Sequence, residues 1–170
     1  MISLSCGIIR HAMHPHENLI SQFYTAFRNK DYVTMQELYH PEATFSDPVF
    51  EGLSSKEVKA MWEMLLTSSK DLEVTFSNVT ADGTRGGCQW DAWYTFSRTG
   101  RKVHNRIHAA FEFKDGKIFR HHDTFDFWRW SRQALGTSGL FLGWTSVVKN
   151  KVRFTARKAL DKFMRKPENQ

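Results

Sequence analysis

Two changes of hydrophobic period predict an α+β domain in which helices pack on one face of a curved antiparallel sheet. From residue 15 to about residue 68 apolar side chains recur at helical spacing, and from Leu72 they alternate with polar ones. Turn signals at Asp82-Gly83, Thr99-Gly100 and Asp115-Gly116 cut the alternating half into four consecutive strands. A chain of 170 residues with 41% apolar and 14% aromatic residues can fill one core.

The first helix begins near Pro15, a residue tolerated in a first turn, and carries Leu19, Ile20, Phe23 and Phe27 before Asn29-Lys30 breaks the pattern. Tyr24 lies at the edge of that stripe. Asp31 is placed to cap a short second helix through Met35 and Leu38, which His40-Pro41 ends. An extended piece follows, Ala43-Thr-Phe-Ser-Asp-Pro48, with Asp47 fixed by the proline after it. Ser54 and Glu57 form a capping box for a third helix whose inner side is Val58, Met61, Trp62, Leu65 and Leu66.

In the strand around 89–97, Trp90, Ala92, Tyr94 and Phe96 share one face. In the next, Val103, Asn105, Ile107, Ala109, Phe111 and Phe113 point inward, leaving His104, Arg106, His108 and Glu112 outside. The stretch Lys117–Trp130 reads as one long strand. Its odd positions, Phe119, His121, Asp123, Phe125 and Phe127, set a His and an Asp among three Phe, while Arg120, His122, Asp126 and Trp128 take the other face. A carboxylate among aromatic rings is held by two opposed influences: lost water raises its pKa, and a protonated His partner lowers it. Side chains at i and i+2 lie roughly 6–7 Å apart along a strand, so His121 and Asp123 meet only by leaning or through a water.

After Trp130 the period is helical again, through residue 135, a Gly-Thr-Ser-Gly break at 136–139, Leu140–Trp144 and a last helix over about 145–165. Val148, Val152, Thr155, Ala159 and Phe163 give that helix a narrow apolar stripe, which suits packing on its own domain, on a second subunit, or on a membrane surface. Residues 149–170 hold eight Lys/Arg against Asp161 and Glu168, so of 24 basic and 18 acidic residues the remaining body keeps 16 of each. A neutral body argues against a specific nucleic-acid-binding core. Any weak attraction to an anionic membrane belongs to the basic C-terminal helix.

Residues 1–14 read as a loose arm and not as a signal peptide, because no basic residue precedes their short apolar run. Cys6 and Cys88 have no metal-like spacing and form no disulfide framework, which points to a reducing, cytoplasmic setting. His121 and His122 are adjacent and must face opposite ways, so a metal site is not expected. Gly-x-Ser-x-Gly and Gly-rich phosphate loops are missing from the sequence, so no cofactor is expected either.

Three helices followed by a meander, with Ala43-Thr-Phe-Ser-Asp-Pro48 between the second and third, resembles the nuclear transport factor 2-like superfamily in its SnoaL-like and ketosteroid-isomerase-like branches. The resemblance covers residues 15–130, leaving 131–170 as a basic helical extension. It implies a cone-shaped sheet enclosing an apolar cavity, which the inward positions would line with Phe23, Tyr24, Trp62, Trp90, Tyr94, Ile107, Phe111, Phe125 and Phe127. Ketosteroid isomerase uses an Asp base opposed by a Tyr and a protonated Asp. The base falls on Asp47, the tyrosine on Phe23 beside Tyr24, and the second acid on Ala109. SnoaL-type cyclases carry an acid/base residue on the final strand, where this chain has Asp123. Epoxide-hydrolase relatives flank an Arg with two Asp, and no Arg lies on the inward face from Val103 to Phe113.

Two functions therefore stand side by side. One is a cofactor-independent isomerase, cyclase or lyase acting on a small apolar molecule, with Asp47 or Asp123 moving a proton and His121 sharing it. The other is a non-catalytic member that binds an apolar ligand or a partner protein. A homodimer is the expected assembly in both.

Overall fold

The computed structural model describes residues 14–165. The expected arm therefore lies, except for His14, outside the described residues. Helix α1 spans Pro15–Arg28, α2 spans Tyr32–Glu37 and α3 spans Ser55–Ser68. Each starts at a side-chain cap. His14 and Glu17 exchange a reciprocal capping box, Asp31 accepts from the Thr34 amide, and Ser54 and Glu57 form the expected box. α1 buries Ile20, Phe23, Tyr24, Ala26 and Phe27, so Tyr24 lies inside the core and not at its edge. α3 buries Val58, Met61, Trp62 and Leu66, while Leu65 stays exposed.

The strands are β1 (Tyr39–Ser46), β2 (Leu53–Ser54), β3 (Glu73–Ala81), β4 (Arg85–Phe96), β5 (Arg101–Lys114) and β6 (Lys117–Thr124). They form one curved, unclosed sheet in the order β2-β1-β6-β5-β4-β3. The meander β3 to β6 is antiparallel as expected. β1 runs parallel to β6, so the sheet is mixed. Asp115 and Gly116 both adopt positive φ, the geometry of a two-residue hairpin turn. Trp90 and Ala92 on β4, and Val103, Ile107, Ala109 and Phe111 on β5, are buried while Trp93 and His108 are exposed, which fixes the register predicted from alternation. α1 lies so close to β4 that a Cβ on Gly86 would stand 2.9 Å from Ile20 Cδ1 and 2.9 Å from the Thr80 carbonyl oxygen.

The expected long strand over 117–130 is corrected at two places. First, Glu112 pairs with Arg120 and Phe113 with Ile118, which makes Phe119 the extra residue of a β-bulge. Ile118 points into the core, and Phe119 stands outside it with the Lys114 ammonium 5.2 Å from its ring centroid. Second, β6 stops at Thr124. Asp126 caps a new helix by accepting from the Arg129 amide, and Phe127 opens helix α4 (Phe127–Leu135). Phe127 therefore joins a small second cluster with Val103, Trp130 and Ala134.

Helices α5 (Thr137–Leu142) and α6 (Ser146–Met164) complete the chain. The inward stripe of α6 also differs from the expected one. Leu160 is fully buried in the main core, Ala156 and Met164 pack against that core, and Val152 packs on the second cluster, whereas Ala159 is exposed. The i, i+4 series 152, 156, 160, 164 drifts by about 40° per step, so the inner face winds around α6 where the mixed spacing expected would run straight. Arg153 donates to the Pro48 carbonyl and pairs with Glu51, and Arg157 pairs with Glu57, fastening α6 over the segment after β1 and the start of α3.

Candidate functional site

Register places His121 in the middle of the sheet. Phe45 of β1 is its partner on one side and Phe111 of β5 on the other. The rings of Phe111, Phe45, Phe23 and Trp62 stand 4.4, 5.0, 5.6 and 6.2 Å from the imidazole, centroid to centroid. Both ring nitrogens are used within that aromatic cage. His121 Nδ1 lies 2.6 Å from the Tyr39 hydroxyl, and Nε2 lies 3.0 Å from Asp123 Oδ1.

The direction of these bonds follows from the groups that can only donate. Trp62 Nε1 donates to the Tyr39 oxygen at 3.0 Å, which leaves the Tyr39 proton for His121 Nδ1. His121 then carries its own proton on Nε2 and directs it at the Asp123 carboxylate, the tautomer assigned by this network. Trp90 Nε1 reaches the same Oδ1 at 3.4 Å. The result is a buried relay Trp62, Tyr39, His121, Asp123 in which every donor points toward the carboxylate. His121 and Asp123 lean toward each other from i and i+2, so their contact is direct. His122 faces outward and is exposed.

The far side of Asp123 is less crowded. Its Oδ2 accepts no hydrogen bond from the described residues, and Ala109 is its partner on β5. Beyond Ala109 lies Cys88 of β4, and Tyr24 of α1 stands over the group, its buried hydroxyl facing the Cys88 thiol, a weak partner too poorly placed to make a well-formed hydrogen bond. Burial and the nearby Asp123 charge hold the Tyr24 phenol well above its ordinary range. Burial pushes the Cys88 thiol up to about 12. Burial also raises Tyr39, with the Trp62 bond opposing it. All three are kept neutral near pH 7, each able to donate a proton to a hydrogen bond.

Asp47 directly follows β1 at the rim of this region. Its Oδ1 accepts from the Val49 amide at 2.7 Å and from the Phe50 amide, the turn that Pro48 imposes. Burial raises it from 3.8 to about 7 against the lowering effect of those two amides, with the Asp123 charge adding to the rise and Arg153 opposing it. Burial raises the Tyr94 phenol, with the Asp47 charge adding a little and the bond from Trp130 Nε1, which its hydroxyl accepts at 2.8 Å, opposing the rise. Val49, Tyr94 and Phe125 are half-buried and pack against both clusters, forming the seam between them. A cleft of about 270 Å³ opens beside this rim, between Val49, Phe50 and Leu53 on one side and Phe154 on the other.

Of the residues singled out from sequence, His121, Asp123, Phe23, Tyr24, Trp62, Trp90, Ile107 and Phe111 come together in the main core. Asp47, Tyr94 and Phe125 sit at the rim, and Phe127 lies in the second cluster. Sequence reasoning missed Tyr39 and Cys88. The extended bias of a residue near His40-Pro41 and the odd-numbered run Tyr39, Ala43, Phe45 were the available signals for Tyr39. Cys88 carried none beyond its inward parity. Among the described residues no three His, Cys, Asp or Glu side chains come together as a metal site.

The sequence profile of the SnoaL-like domain matches residues 20–121, and the chain belongs to that family. Its fold is similar to that of nuclear transport factor 2-like proteins of known structure, at 14% and 17% identity. No curated protein sequence matches. Among solved structures, TerC crystallised with polyporic acid superposes with a TM-score of 0.63 at 18% identity, over 72% of this chain and 100% of TerC. IdmH, a candidate polyketide cyclase of Streptomyces antibioticus, gives 0.61 at 21% identity, over 73% of this chain and 100% of that one. An epoxide hydrolase of M. tuberculosis, of the LEH-like kind, gives 0.59 at 18% identity, over 74% and 92%. At these identities the likeness is one of fold.

Proposed function

We propose that the chain is a cofactor-independent acid/base catalyst, an isomerase, cyclase or lyase, acting on a small apolar molecule with a polarisable oxygen. The observation that carries this reading is a carboxyl poised near neutrality, Asp47, at the rim of a core whose Tyr24, Tyr39 and Cys88 are kept protonated. Asp47 is the group that takes or returns the proton. Tyr24 donates its buried hydroxyl to the substrate oxygen, and the Asp123 carboxylate, acceptor-only, uses Oδ2 to take a hydrogen bond or a proton from the substrate. His121 and Tyr39 orient Asp123. Phe23, Trp62, Trp90, Ile107 and Phe111 supply the apolar surroundings, and Tyr94 and Phe125 form the entrance.

Where the ketosteroid-isomerase-like resemblance puts its second acid on Ala109, register sets Asp123 directly across. A carboxyl on the neighbouring strand therefore stands near that point, here as an acceptor of the His121 proton and not as a donor. The solved neighbours agree in kind, since they include a candidate polyketide cyclase and a protein crystallised with polyporic acid.

The non-catalytic reading draws support from one observation: Tyr39, His121 and Asp123 already satisfy one another, as a structural network would. Deuterium wash-in separates the two. A panel of apolar ketones with acidic C–H bonds, incubated in D2O, should gain deuterium with the wild type and not with Asp47→Asn. Tight binding of the same ketones without exchange by either protein would establish a binder. A homodimer, formed through the outer sheet face where Trp93 stacks on His104 at 4.5 Å, completes the proposal, and sedimentation velocity tests it.

A further inference from the structure

The C-terminal extension displays large apolar side chains where a protein ordinarily hides them. Phe141, Trp144, Val147 and Phe154 are 70%, 72%, 74% and 70% exposed, and Leu140 and Leu142 are exposed beside them. This is not a loose segment. Gly139 and Gly143 press so closely on Ser131 of α4 that a Cβ at either would fall 1.9 Å from a Ser131 oxygen. α5 is therefore docked by its small residues and holds its large ones outward. Val147 and Phe154 continue that surface along α6, seven residues or two turns apart.

Charge states what such a surface fits. Between residues 129 and 165 there are nine Lys/Arg, at 129, 132, 149, 151, 153, 157, 158, 162 and 165, against Asp161 alone. Arg153 and Arg157 are bound to Glu51 and Glu57. Lys151, Lys158 and Lys162 lie exposed on α6 with no acidic partner among the described residues. A second copy meeting this face would bring lysine against lysine. Phe141, Trp144 and Phe154 are rings on which a base could stack, but Leu140, Leu142 and Val147 stand exposed among them, and aliphatic side chains gain little against bases and much at the edge of an acyl-chain layer. No described helix is long and apolar enough to cross a membrane.

We infer that this face is a peripheral docking surface for a bilayer bearing anionic lipid. Phe141, Leu142, Trp144 and Val147 enter the interfacial zone, and Lys151 and Lys158 lie among the headgroups. The inference does not depend on the catalytic reading. It makes the extension a device that holds the cleft beside Asp47 near a membrane, where apolar molecules partition.

Flotation of the full chain with vesicles of phosphatidylcholine alone, or mixed with phosphatidylglycerol, tests it. Binding is expected to the mixed vesicles in low salt, to weaken in high salt, and to be weak on phosphatidylcholine alone. Lys151→Glu/Lys158→Glu should lower partition at least 30-fold. Phe141→Ser/Trp144→Ser should abolish it with the melting temperature unchanged, since both side chains already face water. Brominated acyl chains should quench wild-type fluorescence and leave Trp144→Phe less affected. Absence of binding to mixed vesicles overturns the inference. So does binding that the Phe141/Trp144 variant retains. A wild-type oligomer that this variant dissociates, with no vesicle binding, would reassign the face to contact between copies.

Discussion

Asp47→Asn isolates the group on which the catalytic reading turns. The carboxyl titrates near 7 in the folded protein against 3.8 in the ordinary state, a difference corresponding to about 4 kcal/mol. Because the folded-state pKa is the raised one, the associated stability is fully present below about pH 4 and is lost as pH climbs toward 7, where the unfolded chain ionises and the native one resists. Water reaching the half-buried rim reduces the loss to about 2–4 kcal/mol. Asparagine keeps an oxygen to accept from the Val49 and Phe50 amides but cannot ionise. The variant should match the wild type at pH 4 and exceed it by about 2–4 kcal/mol at pH 8. Urea unfolding of both proteins across that range reads the difference directly. A variant destabilised by the same amount at every pH would show that Asp47 ionises normally, and the proton-transfer role would go with it.

Tyr39→Phe strips one oxygen and leaves the Trp62 indole N–H and His121 Nδ1 without partners, a loss of about 2–4 kcal/mol; a denaturation midpoint unchanged from wild type would remove Tyr39 from the relay. Asp123→Asn should end deuterium wash-in while apolar ketones still bind, as followed by calorimetry, and full exchange by this variant would leave Asp47 to act without it. Leu160→Ala should cost about 2–5 kcal/mol in one cooperative transition, because that side chain from α6 is fully buried in the main core; an unaltered melt would make α6 energetically separate. Gly86→Ala drives a methyl against Ile20 and the Thr80 carbonyl and should cost about 1–3 kcal/mol, whereas Gly83→Ala, with nothing within 4 Å, serves as the neutral control in the same melts.

Much of this architecture is legible in local chemistry. Asp31 and the Ser54/Glu57 box cap helices where the residue types say they should, and strict alternation sends Trp90, Ile107 and Phe111 inward. The errors cluster where one stretch satisfies two periods. Phe125-Asp-Phe-Trp-Arg-Trp130 alternates like a strand, yet 127, 130, 131 and 134 also follow helical spacing, and the Asp126 cap decides for the helix. His40-Pro41 looks like the end of a helix, and that hid a strand already begun at Tyr39. The parallel pairing of β1 with β6, which delivers Tyr39 and Phe45 to His121, is a long-range fact that no local pattern encodes. The carboxylate and imidazole of the site were therefore readable, and the phenol that orients them was not.

The bulge at Phe119 bears on how the length of this chain can vary. Removing Phe119 would bring Arg120 next to Ile118 and turn the irregular step opposite Glu112 and Phe113 into an ordinary ladder, with His121 and Asp123 still facing Phe111 and Ala109. Removing one residue three places further on, at His122, would instead rotate Asp123 to the outer face and deliver Thr124 to the opposite side of its present one. The same one-residue deletion is thus silent or ruinous according to which side of His121 it falls. Natural length variants should gather at 119 and avoid 122.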